Sequence, residues 1–107
     1  GLDGIYGGQA DLTHSLTQGR LAPGFDRQEP EMIAALQRIV AACKANGIRA
    51  ALHCGTPDYA ARAIGWGFDM TTVGGDSRFL ASAASAAVHG FRKLTETVGA
   101  KSEKGAF

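Results

Sequence analysis

The sequence predicts an α/β protein made of three successive strand–helix units with parallel strands, too few to close a sheet on itself. Three observations carry that prediction. Strand-length apolar runs alternate with helical stretches in the order strand, helix, strand, helix, strand, helix, and such alternation yields parallel strands joined by right-handed crossovers. Each unit is about 30 residues long, the size of one strand–helix repeat. Glycine is abundant, at 15 of 107 residues, and it falls at element boundaries. It occurs in the pairs Gly7-Gly8 and Gly74-Gly75, or singly after helical runs at Gly47 and Gly67, where it supplies positive φ or lets a ligand approach the backbone.

The elements follow in order. Leu2 to Tyr6 reads as a short strand ending in Gly7-Gly8, and Ala10-Asp11-Leu12-Thr13 opens a short helix. The stretch from Gln18 to Gln28 carries Gly19, Pro23 and Gly24 and reads as a loop. A longer helix starts near Pro30, with Glu29 and Glu31 beside the positive end of its dipole. Met32, Ile33, Leu36, Ile39, Val40 and Cys43 recur along it at three- and four-residue intervals, and Asn46-Gly47 stops it. Ile48 to His53 reads as the second strand. Thr56 as N-cap, Pro57 at the first helical position and Asp58 beside the dipole start a second long helix that reaches Ile64, with Gly65 and Gly67 ending it. Phe68 to Val73 is the third strand. Ser77 then caps a helix to about Val98, and residues 99–107 form a tail.

Composition excludes several classes of function. Eleven Lys and Arg against ten Asp and Glu leave a net charge of +1, no electrostatic footprint for nucleic acid. No apolar run approaches the roughly 20 residues of a membrane span, and the start lacks the charged and apolar regions of a signal peptide. Two cysteines, Cys43 and Cys54, are too few for a disulfide scaffold and read as free thiols in the cytoplasm. Three parallel strands leave two raw edges, and a complete eight-unit barrel takes about 250 residues. The chain therefore reads as part of a larger fold, and its beginning inside a strand fits that expectation.

The residues carry a resemblance. LDGIYGGQADLT resembles the strand and Gly-Pro-x-Asp-Leu-Ser-type motif of the HpcH/HpaI aldolase/citrate lyase family. KANGIRA, GWGFDMTTVGGD and SRFLASAA follow in the family's order and spacing. The likeness is strongest to its 2,4-dihydroxyhept-2-ene-1,7-dioate (4-hydroxy-2-oxoheptanedioate) aldolase branch. It implies a TIM barrel, (β/α)8, of which residues 1–98 supply units six to eight. It also implies a metal-dependent, reversible cleavage of 4-hydroxy-2-oxo acids to pyruvate and an aldehyde. The divalent cation would be Mg2+ first, with Mn2+ or Co2+ as alternatives, held by one Glu and one Asp. The Asp matches Asp11; the Glu, with the family's catalytic Arg and His, belongs to earlier strands, so no catalytic residue is expected in this chain. The eighth helix is exchanged between barrels in the family, which implies a homo-oligomer through the C-terminal helix.

The chemistry of the residues agrees with the metal role of Asp11. A hard dication wants carboxylate oxygens, with water and substrate oxygens completing its shell. Asp11 follows a Gly-rich turn at the C-terminal end of a strand, the face on which barrel enzymes place their chemistry. Backbone N–H groups around Gly8 and Ala10 open a helix and suit a substrate carboxylate. The competing role for Asp11 is a helix cap. Two departures from the family stand beside it: Gln9 in place of Pro, expected to loosen the turn, and Gly7 in place of a β-branched residue, expected to weaken the strand.

His53, at the end of the second strand, matches a position lining the aldehyde side of the family's pocket; its alternative is a structural histidine bonded to a loop. His14 is either at the pocket mouth or a solvent-facing helix residue, and His89 a surface or interface residue. Asp76 organises a turn and helix start in preference to binding metal, and Arg20 either meets a distal substrate carboxylate or is solvated. Cys54 has no assigned chemistry, since adjacent strand side chains point to opposite faces. Leu80, Ala84, Ala87, Phe91, Leu94 and Val98 form a seam with a mean period of about 3.5 residues, suited to a partner helix. The rival enzymatic reading is a citrate lyase β-like or malyl-CoA-type lyase. A reading of another class is an inactive piece that completes a fold and an oligomer.

Overall fold

The computed structural model describes the backbone of residues 1–102 and the side chains of residues 1–96. The elements are β1 (Gly4–Gly7), α1 (Gln9–Thr17), α2 (Pro30–Ala45), β2 (Arg49–Leu52), α3 (Pro57–Trp66), β3 (Met70–Thr71) and α4 (Asp76–Ser102). The three strands form one sheet in the order β1-β2-β3, and both pairings are parallel. The chain divides into two units, residues 1–75 with the sheet and α1 to α3, and the segment from Asp76 that holds α4.

Register decides what each face of the sheet does. Tyr6 pairs with Ala51 and Gly7 with Leu52, while Ala51 pairs in turn with Met70. Because strand side chains alternate, Ala50, Leu52 and Cys54 share one face. They are buried against Leu36, Val40 and Cys43 of α2, Tyr59, Ala60 and Ala63 of α3, and Phe68. Buried Met32, Leu36, Val40 and Cys43 repeat at helical spacing along α2, the stripe that its sequence predicts. Each large apolar side chain sealed here stabilises the fold by about 1.5–3 kcal/mol. On the opposite face Tyr6 and Met70 are exposed.

The helix boundaries have local causes. Pro30 and Pro57 sit in the first turns of α2 and α3. Thr56 caps α3 by accepting a hydrogen bond from the Tyr59 N–H at 3.3 Å. That helix runs to Trp66, past the expected stop at Ile64. The space around Gly65 is open, and Trp66 stacks edge-on against Tyr59 at 5.6 Å, which holds the last turn. Gly67 is the stop: its φ is +110°, and a Cβ there would lie 2.8 Å from Lys44 Nζ and 3.0 Å from Val40 Cγ1.

The third strand is shorter than expected. Only Met70–Thr71 forms the ladder, since β3 has β2 as its sole strand neighbour among the described residues and Phe68 turns into the core. The N–H groups of Asp69 and Thr72 continue the pairing to Ala50 O at 2.8 Å and Leu52 O at 3.1 Å. The glycine at Gly7 does not interrupt β1. It pairs with Leu52 and accepts the His53 N–H at 3.1 Å, and a Cβ there would come within 3.2 Å of Leu52 Cδ1.

In the second unit, α4 begins at Asp76, one residue before the expected cap, and Asp76 Oδ1 accepts the Ser77 N–H at 2.8 Å. The helix continues through Gly99 to Ser102, so the expected tail starts inside it; residues 103–107 lie outside the described residues. Leu80, Phe91 and Leu94 of the expected seam are exposed on this helix, and the Val98 side chain lies outside the described ones. Among the described residues no helix is long and apolar enough to cross a membrane.

Candidate functional site

The C-terminal ends of the parallel strands gather the residues of interest within the first unit. After β1, Gly8 is the N-cap of α1 in extended conformation, with no side-chain cap. Ala10 and Asp11 follow in the first turn, whose N–H groups have no carbonyl partner within a helix. Asp11 is exposed, and its carboxylate accepts no hydrogen bond and joins no ion pair among the described residues. It does not cap α1. A Cβ at position 8 would sit in ordinary van der Waals contact with Asp11 Oδ2, at 3.6 Å. An uncommitted carboxylate in this setting fits the role of one oxygen donor to a hard dication. The described residues hold no cluster of three or more His, Cys, Asp or Glu, so Asp11 offers a single donor and not a complete shell.

Gln9 corrects the expectation that its presence loosens the turn. Its side chain is fully buried. Nε2 donates to His53 O at 2.8 Å, and Oε1 accepts the Arg27 N–H at 3.2 Å. The amide thus ties the start of α1 to the end of β2 and to the long loop. Thr13 and Thr17, one and two turns on, are also buried, and their hydroxyls donate to Gln9 O and Thr13 O, each at 2.6 Å. The inner face of α1 is therefore polar and fully hydrogen-bonded, with no buried side-chain polar atom among the described residues left unpaired.

His53 follows β2 directly and is half-buried. Tyr6 Oη lies 2.8 Å from its Nδ1 and Thr72 Oγ1 3.3 Å from the same atom. The Phe25 ring stands 4.8 Å away, tilted by 53°. The loop bearing Phe25 is fastened by Asp26, which adopts a left-handed φ of 53° that Asp tolerates better than most residues. Its carboxylate accepts the Gly55 N–H at 2.8 Å and the Thr56 hydroxyl at 2.7 Å. Tyr59 Oη donates to Arg27 O at 2.6 Å, and burial pushes the Tyr59 phenol up to about 12.

The remaining candidates fall to structural roles or to the surface. His14 is exposed, and its carbonyl accepts the Gly19 N–H at 3.1 Å. Arg20 pairs with Glu31. His89 Nδ1 lies 3.0 Å from Ser85 O on the exposed surface of α4. Asp76 orders the start of that helix, as described above. Cys43 and Cys54 are buried free thiols. Burial, with Asp26 as a lesser cause, pushes the Cys54 thiol up to about 11, so it stays protonated and unreactive at neutral pH.

Tyr6, Thr72, Phe25 and the tethering amide of Gln9 are the site residues that sequence reasoning missed. For Tyr6 a signal existed: strand alternation places it opposite the buried positions, but its partner depends on register. Asp26 and Phe25 lie in an irregular loop and carry no periodic signal.

No model of a known protein family matches the chain. Over 94 residues it is 31% identical to a hydroxypyruvate/pyruvate aldolase of Rhizorhabdus wittichii, an alignment covering 88% of this chain and 36% of that protein. The chain thus spans little more than a third of the length of this curated relative.

Proposed function

We propose that the chain supplies the last three strand–helix units of a TIM-barrel aldolase of the HpcH/HpaI type, cleaving 4-hydroxy-2-oxo acids to pyruvate and an aldehyde. One observation carries the reading: in a chain similar to an aldolase, an uncommitted carboxylate, Asp11, stands in the first turn after a parallel strand. That position follows the C-terminal end of β1, where barrel enzymes assemble their sites. The similarity to an aldolase supports this reading over a thioester-cleaving lyase.

In this reading Asp11 is the chain's one ligand to a divalent cation, Mg2+ in the first instance. When bound, the cation supplies the positive charge that favours the enolate of pyruvate. The N–H groups of the N-cap Gly8 and of Ala10 in the first turn bind and orient the substrate carboxylate. His53 lines the side on which the aldehyde sits. The rest of the barrel completes the metal shell and the acid–base groups, and the exposed stripe of α4 joins a second copy. Buried, unpaired cysteines suit the cytoplasm as its compartment.

The test is exchange of the pyruvate methyl protons in deuterated water, followed by NMR in the protein that carries this chain. Exchange that needs a divalent cation and disappears in Asp11→Asn supports the reading. Exchange that survives the substitution at the wild-type rate contradicts it.

A further inference from the structure

The loop between α1 and α2 is tied down more heavily than a connection needs. Asp26 Oδ1 accepts the Gly55 N–H at 2.8 Å, and its Oδ2 accepts the Thr56 hydroxyl at 2.7 Å. The next residue is held at both backbone groups: the Arg27 N–H donates to Gln9 Oε1 at 3.2 Å, and Arg27 O accepts the Tyr59 hydroxyl at 2.6 Å. Two consecutive residues thus receive four bonds from α1, from the end of β2 and from α3. Inside the loop the Arg27 guanidinium donates to Ala22 O at 3.1 Å and to both carboxylate oxygens of Glu29. Asp26 is kept at a left-handed φ of 53°, a conformation that persists in a non-glycine residue where its surroundings over-determine it.

What this fastening presents is the residue before it. Phe25 is half-buried and does not belong to the apolar core under α2 and α3. Its ring stands instead 4.8 Å from the His53 ring, tilted by 53°, beside the C-terminal end of β2. A Cβ at Gly55 would lie 3.5 Å from Phe25 Cβ and 3.3 Å from Asp26 Oδ2, so the loop is seated closely on the strand end. A ring on a loose loop yields to a bulky ligand. One fastened at four points does not, and it selects by exclusion.

We infer that Phe25 is a specificity-determining residue, a fixed wall that restricts the reaction to aldehydes with small substituents, and that Asp26 is the positioning residue that holds it. The inference rests on the aldolase reading, with His53 on the aldehyde side. Phe25 covers the His53 ring from the loop, so a substituent that extends past the imidazole meets an aromatic ring that cannot move aside. Misfits of a carbon atom or two in such a pocket discriminate by about tenfold or more.

The test is the kinetics of pyruvate addition to acetaldehyde and to benzaldehyde in the protein that carries this chain. Phe25→Ala removes a phenyl ring from the wall, the same group that benzaldehyde carries in place of the acetaldehyde methyl. The benzaldehyde-to-acetaldehyde ratio of kcat/KM, taken within one variant so that any loss of folded enzyme cancels, should rise about tenfold. Asp26→Gly keeps the ring and removes the carboxylate, and glycine adopts the left-handed φ without strain. The ratio should rise there too, by less, and adding Asp26→Gly to Phe25→Ala should change it no further. A ring that only supports the fold would lower both kcat/KM values together, so a Phe25→Ala ratio at or below the wild-type one overturns the proposal. A wild-type ratio in Asp26→Gly overturns the positioning role. A wild-type protein that turns over neither aldehyde overturns the aldolase reading and this assignment together, whereas turnover of acetaldehyde with a Phe25→Ala ratio that does not rise overturns this inference alone.

Discussion

Residues one position apart on β2 live in opposite environments. Ala50 and Leu52, with Cys54 just beyond, are sealed under α2 and α3, whereas Arg49, Ala51 and His53 stand on the face shared with Tyr6 and Met70. The sealed face is apolar. The open face ends in an imidazole whose Nδ1 lies within hydrogen-bond distance of a phenol and of a threonine hydroxyl. The same backbone ladder serves both, so the two-residue period of a strand separates stability from chemistry at no cost in chain length. Substitutions on the first face should therefore unfold the protein, and those on the second should alter what it does.

The largest effect on stability is expected from Leu52→Ala. Leu52 is fully buried, and the loss of its contacts plus the cavity left behind should cost about 2–5 kcal/mol in denaturant unfolding. A cost below about 1 kcal/mol would mean that the sealed face is not the core. A smaller effect is expected from Gln9→Ala, at the seam between the two faces. It strands the Arg27 N–H and the His53 carbonyl, and should cost about 1–3 kcal/mol. Unchanged unfolding in that variant would show that the amide is not a tether.

The smallest effect lies at the other end of the sheet. Asp69 Oδ2 accepts the Ala50 N–H at 2.9 Å, and Oδ1 lies 3.4 Å from Arg49 Nη1. The backbone hydrogen bond first, and the guanidinium second, hold its carboxyl below the ordinary carboxylate range. A pKa lowered by folding contributes stability above the unfolded value, and that contribution is lost as pH falls through the folded one. The wild type should thus melt higher than Asp69→Asn near neutral pH, and the gap should close below about pH 4. A gap that stays constant down to pH 2 would assign the effect to something other than this titration.

The same contrast explains what the sequence made legible. The sealed face could be read because its signals are local and periodic: Leu36, Val40 and Cys43 mark one stripe of α2, and Thr56-Pro57 marks the start of α3. Asp11 could be singled out because it lies in a recognisable turn after a strand. The Tyr6–His53 pair could not be read, because it joins residues 47 positions apart through strand register, which no local pattern fixes. Gln9 misled for a related reason. Replacing a proline suggests a looser turn, but the partners of its amide, at His53 and Arg27, come from distant segments. The length of β3 depended on its neighbours in the sheet, and the six-residue run from Phe68 to Val73 says nothing of how many strands flank it.

The central claim is that the edge beyond the C-terminal ends of the strands is the reacting edge and that Asp11 is its metal donor from this chain. Calorimetric titration of Mn2+ into the protein that carries the chain, wild type against Asp11→Asn, tests it most directly. The account predicts at least a tenfold weaker Mn2+ affinity in the variant, in keeping with the roughly 1.4 kcal/mol that a tenfold change represents, at an unchanged melting temperature without metal. Equal affinity for Mn2+ in the two proteins would contradict it.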